Sequence, residues 1–77
     1  MTLTECRDFV IGRGWNYSGT CGCSTNMYKY KKPTQGSYEI RIGIRAEIYS
    51  IRQFERTIRQ GNINEFETNY NQLFGEG

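Results

Sequence analysis

Met27-Tyr28-Lys29-Tyr30-Lys31-Lys32, then Pro33-Thr34-Gln35-Gly36, then Ser37-Tyr38-Glu39-Ile40-Arg41-Ile42-Gly43-Ile44-Arg45, is the stretch that decides the fold. Successive side chains of a strand point to opposite faces, so residues two apart share one. In the first segment Tyr28 and Tyr30 oppose Lys29 and Lys31. In the second, Tyr38, Ile40, Ile42 and Ile44 oppose Glu39, Arg41 and Arg45, with Gly43 leaving a gap. Lys32 to Gly36 reads as the turn between them, because Pro restricts φ and Gly tolerates positive φ. The product is a β-hairpin with one apolar and one cationic face; a register error of one residue would exchange the two.

Toward the C-terminus, Glu47 to Arg52 is expected to return as an antiparallel strand after a tight connection at Arg45-Ala46. Residues 50–61 admit two readings. As a helix, Ser50 caps, Ile51, Phe54 and Ile58 share a face, and Gly61 ends it. As a strand, Phe54-Glu55 is a turn and Arg56 to Gln60 pairs back; the β-branched content and the continuity of Tyr49-Ser50-Ile51 favour this second reading. A final helix follows. Asn62 and Glu65 form its cap pair, and Ile63, Phe66, Tyr70, Leu73 and Phe74 form its apolar stripe. Gly75 stops it, and Glu65 and Glu67 suit the positive end of its dipole.

Toward the N-terminus, Gly19, Gly22, Ser24, Thr25 and Asn26 predict a loop around Cys21 and Cys23. Trp15 to Thr20 predicts a first strand with Trp15 and Tyr17 on one face. Residues 2–12 predict a short helix. Thr2 and Glu5 make a capping box in which each side chain satisfies the other's backbone N–H. Leu3, Cys6, Phe9 and Val10 share a face, and Gly12 and Gly14 end the helix. The expected architecture is α+β: a helix, an antiparallel sheet of three to five strands and a C-terminal helix. Both helices cover one face of the sheet, in a single domain spanning residues 1–77.

Composition bounds the function. Hydrophobic residues make up only 36% of the 77, but six Tyr, four Phe and one Trp supply large apolar surfaces, so the chain is read as folded. The net charge is +2, too small to argue a partner by itself. Its distribution says more: Lys29, Lys31, Lys32, Arg41, Arg45, Arg52 and Arg56 lie in one stretch with only Glu39, Glu47 and Glu55, whereas Asn64 onward carries acids and no cation. No apolar run approaches the ~20 residues of a membrane helix. Met1-Thr2-Leu3-Thr4-Glu5-Cys6 lacks the basic and apolar regions of a signal peptide, so the expected location is the cytoplasm.

Histidine is absent, which removes the commonest general base and metal ligand. The acids form no close group by spacing, so neither a paired-carboxylate hydrolase nor a two-metal nuclease is indicated. Gly12-Arg13-Gly14 follows a helix where a dinucleotide loop follows a strand, so a helix stop explains it. Cys6, Cys21 and Cys23 are the candidate metal ligands. Cys21 and Cys23 are separated by one residue where structural zinc sites use two to four, and a fourth ligand is missing. A carboxylate, water or a second chain would have to supply that ligand, so these thiols are read as structural or incidental, with no metal and no cofactor expected.

The order helix, Gly14-Trp15, strand meander, helix is similar in outline to the double-stranded-RNA-binding-like fold of HicA-type toxins. The catalytic histidine of that family has no counterpart, so its RNase activity is not implied. Cys21-Gly22-Cys23 before a Tyr/Lys strand, and Tyr38-Glu39-Ile40-Arg41-Ile42, look like small orphan proteins of phages and mobile elements. That resemblance implies a small binder, including inhibitors of host proteins.

The expectation is a non-catalytic binding protein acting by protein–protein contact. The first alternative is a nucleic-acid-binding module using Lys29, Lys31, Arg41, Arg45 and Arg52, since basic sheet faces can track phosphates. The second is a homo-oligomer built by pairing of an exposed edge strand.

Overall fold

The computed structural model describes residues 1–21 and 26–75. Five antiparallel strands run in chain order as an open meander: β1 (Asn16–Cys21), β2 (Met27–Lys31), β3 (Tyr38–Gly43), β4 (Ile48–Gln53) and β5 (Arg56–Asn62). Helix α1 (Leu3–Gly12) precedes the sheet and α2 (Phe66–Phe74) follows it. The protein is therefore α+β, with one open antiparallel sheet. Among the described residues, no helix is long and apolar enough to cross a membrane.

Register settles which residues face inward. Tyr30 pairs with Ile40, Ile40 with Ile51, Tyr28 with Ile42 and Ile42 with Tyr49. These positions form the helix-covered face, and Tyr30, Ile40, Ile42, Tyr49 and Ile51 are buried there with Cys6 and Val10 of α1 and Phe66 and Tyr70 of α2. The tyrosines of the hairpin thus lie inward, as the alternation predicts.

The two helices meet through aromatic rings. Phe9 of α1 approaches Phe66 and Tyr70 edge-on, with centroids 5.6 and 5.1 Å apart. The sheet joins the same cluster through Tyr38 against Phe74 at 4.8 Å and Tyr49 against Phe66 at 5.3 Å. Such edge-to-face pairs each add about 0.5–1.5 kcal/mol beyond area burial. Trp15 is 1% exposed, and its indole N–H donates to the Tyr70 hydroxyl at 3.0 Å.

Several local expectations are met and several are corrected. The Thr2–Glu5 capping box is present in both directions. Residues 50–61 are strand, turned at Phe54-Glu55. Trp15 precedes β1 instead of opening it: its backbone N–H is held by the Val10 carbonyl, so the residue belongs to the end of α1, while Tyr17 is exposed. Pro33–Gln35 is a 3-10 turn, and Gly36 sits at φ −61°, so the turn does not use positive φ there. Asn62 caps a 3-10 turn (Ile63–Glu65) through the Asn64 N–H, and α2 begins only at Phe66, with no side-chain cap from Glu65. Gly75 at φ 70° ends α2 as expected.

The largest correction concerns Ile44 and Arg45. β3 ends at Gly43 because the chain folds back at once, and a Cβ on Gly43 would collide with the Ala46 carbonyl oxygen. Ile44 is partly exposed and outside the core, and Arg45 projects from the β3–β4 connection instead of the strand face.

Candidate binding face of the sheet

The face opposite the helices is built by the alternate residues of the same strands. β2 gives it Lys29 and Lys31, β3 gives Glu39 and Arg41, β4 gives Ser50 and Arg52, and β5 gives Thr57 and Gln60. Lys29 stands directly opposite Arg41, and Arg41 opposite Ser50. Like charges placed opposite each other across a strand pair are destabilising, so this cationic row does not serve stability.

Glu39 organises the middle of the face. Its Oε2 accepts from Arg41 Nε at 2.7 Å and lies 4.0 Å from Arg52 Nε. Arg52 is tied further by donating Nη1 to Thr57 Oγ1 at 3.1 Å and Nη2 to the Glu55 carbonyl. The two guanidinium groups are thereby fixed in place, and one carboxylate is shared between them. Among the described residues, Lys29 and Lys31 have no ion-pair partner. Four of the five expected cations therefore gather on one face, and Arg45 stands apart from them.

Sequence reasoning passed over Phe54. It is 75% exposed at the β4–β5 turn, beside the cationic face. The signal was present, since the strand reading puts an aromatic residue at a turn, where small polar residues are usual.

The thiols are not gathered. Cys6 is buried in the helix layer, with Sγ 3.5 Å from Met1 Sδ. Burial pushes its pKa up and keeps it a thiol. Cys21 ends β1 opposite Met27 and, by register, falls on the other side of the sheet. Cys23 lies outside the described residues. Among the described residues, no three His, Cys, Asp or Glu side chains are grouped to hold a metal ion. Glu5 has a lowered pKa because the Thr2 backbone N–H bonds its carboxylate, which accounts for it as a cap.

No protein-family model, curated protein or solved structure matches this chain.

Proposed function

We propose that the protein is a non-catalytic binding module that acts by protein–protein contact through the open face of its sheet. One observation carries the reading: the face gathers Lys29, Lys31, Arg41 and Arg52, with the two guanidinium groups held by Glu39, while Tyr28, Tyr30, Tyr38 and Tyr49 point into the helix layer. Single-stranded nucleic acid is held by cations together with successive stacked rings. A cationic face without rings on its strands fits an acidic protein surface better. Inhibition of a host protein, the role implied by the resemblance to mobile-element proteins, is one form such contact takes.

The test is affinity purification with the wild-type chain and with Lys29→Glu/Lys31→Glu. Lys31 is exposed and Lys29 half-buried, and Lys29→Glu replaces a like-charge pairing with Arg41 by an opposite-charge one, so the variant is expected to keep its melting temperature. A defined protein retained by the wild type and lost by the variant supports the reading. Identical retention by both overturns it. Tight binding of a labelled oligonucleotide, falling steeply with salt as counterions are released, would replace it with the nucleic-acid reading.

A further inference from the structure

The β4–β5 turn is held in a conformation that its residues do not favour. Phe54 and Glu55 have φ of 51° and 65°. A two-residue hairpin turn with both central residues in the left-handed region normally uses Asn-Gly. A bulky residue there is an outlier, and such strain gathers at functional sites. The surrounding bonds hold it: Phe54 N–H donates to the Ser37 carbonyl at 3.0 Å, and the Glu55 carbonyl accepts from Arg52. The ring that this strained turn presents is also the most exposed large hydrophobic side chain described.

Beside that ring lies an open groove of about 770 Å³, lined in part by Lys31, Glu39, Arg41, Arg52, Phe54 and Glu55. Glu39 is already engaged by Arg41 and Arg52, so among the described residues Lys31 has no ion-pair partner, and Lys29 stands two residues away on the same strand face. The lining combines the exposed ring of Phe54 with three cations, Lys31, Arg41 and Arg52, against two carboxylates, Glu39 and Glu55, and this excess of positive charge beside an apolar ring defines the occupant by complementarity. It carries carboxylates and at least one apolar side chain, and it is extended enough to follow an open groove. A single ring suits one side chain, not a run of stacked bases.

We propose that this groove takes an extended acidic segment of a protein partner, with carboxylates on Lys31 and the Arg41–Arg52 pair and an apolar side chain against Phe54. This rests on the binding-face reading above and gives it a site and a ligand class.

The test pans a phage-displayed random-peptide library on the full chain. It then measures the best synthetic peptide by fluorescence anisotropy against wild type, Phe54→Ala, Lys31→Glu, Lys29→Glu and, as a remote control, Thr68→Ala. Enriched peptides should combine Asp or Glu with an apolar residue. Their affinity should fall about tenfold or more in Phe54→Ala and in Lys31→Glu, and stay unchanged in Thr68→Ala. A second variant separates contact from folding. Phe54→Asn/Glu55→Gly installs the favoured turn, so it should raise Tm by about 4 °C or more while losing the peptide. Peptides without carboxylates, or binding indifferent to Phe54→Ala and Lys31→Glu but lost in Lys29→Glu, would overturn the groove and leave the binding face standing. No enriched peptide, together with no protein lost by the lysine variant, would overturn both. Binding of a labelled oligothymidine that Phe54→Ala weakens, or a dimer that Phe54→Ala dissociates, would overturn the proposal by placing nucleic acid or a second copy in the groove.

Discussion

The two faces of this sheet are made by neighbouring residues of the same strands, yet they are organised by different physics. On the helix side, Tyr30, Ile40, Ile42, Tyr49 and Ile51 are shut off from water by α1 and α2. Stability there comes from apolar area, at roughly 25 cal/mol per Å² removed from water, and from edge-to-face rings. On the other side, Lys29 faces Arg41 across a strand pair, and one carboxylate serves two guanidinium groups. That arrangement stabilises little, because partly exposed ion pairs contribute about 0–1 kcal/mol. One face holds the fold and the other is released from that duty.

The comparison breaks first, and hardest, at Trp15. Its ring is 1% exposed and packs on Tyr70 and Phe74 of α2, which in turn meet Phe9 of α1 and Tyr38 of β3. Trp15→Ala should cost about 3–5 kcal/mol, which is comparable with the whole stability of a small domain. The expected result is a chain largely unfolded by circular dichroism at room temperature. Lys29→Ala, on the other face, should move the urea midpoint by less than about 0.5 kcal/mol equivalent. Similar losses in the two variants would mean that the faces are not divided in this way.

Tyr70→Phe tests the same face more finely. The ring and its packing stay, but the Trp15 N–H loses its acceptor at 3.0 Å in a buried setting. A buried donor left without a partner costs about 1–3 kcal/mol, readable as a lower urea midpoint with an unchanged slope.

Tyr30 and Tyr49 supply a pH test. Burial raises both phenol pKa values above the ordinary 10.0. The folded state therefore holds these protons more tightly than the unfolded chain does. That contribution is complete below the unfolded value of about 10 and is lost as pH rises through the folded values. Thermal stability should decline above about pH 10, and Tyr49→Phe should make the decline shallower. A flat profile through that range would show that the two phenols reach water.

How much of this was legible can be traced residue by residue. Alternation over Met27–Lys31 and Tyr38–Gly43 determines faces because the strand period is two and the apolar set falls on one parity. The Thr2–Glu5 box was readable because both partners are local. The failures share a cause, which is dependence on contacts distant in sequence or on backbone crowding. Arg45 fits the strand parity, but the collision that Gly43 avoids with Ala46 ends the strand before it. Trp15 alternates with Tyr17, but its backbone is bound to Val10 and its indole to Tyr70, fifty-five residues on. Of the candidate site, Lys29, Lys31, Arg41 and Arg52 were legible from parity alone. Phe54 was not, because its weight comes from exposure and from a left-handed backbone that few aromatic residues adopt.

The finest test of the division is Glu39→Gln. Glu39 and Arg41 side chains are 17% and 20% exposed, and Arg52 is 24% exposed, so water screens the pairs in part. Removing the charge while keeping the shape should cost under about 1 kcal/mol. Because surface ion pairs are screened over roughly 8–10 Å at physiological salt, the difference from wild type should shrink as sodium chloride is added. The consequence for binding has the opposite sign. Without Glu39's charge, Arg41 and Arg52 are no longer neutralised, and the groove becomes more cationic. An acidic peptide should then bind more tightly at low salt even as the fold becomes slightly weaker. A carboxylate that strengthens the fold while weakening the face's attraction for anions separates stability from recognition within one side chain. A Glu39→Gln variant that lost stability and acidic-peptide affinity together would show that Glu39 holds the arginines in their binding positions, making geometry more important than net charge on this face.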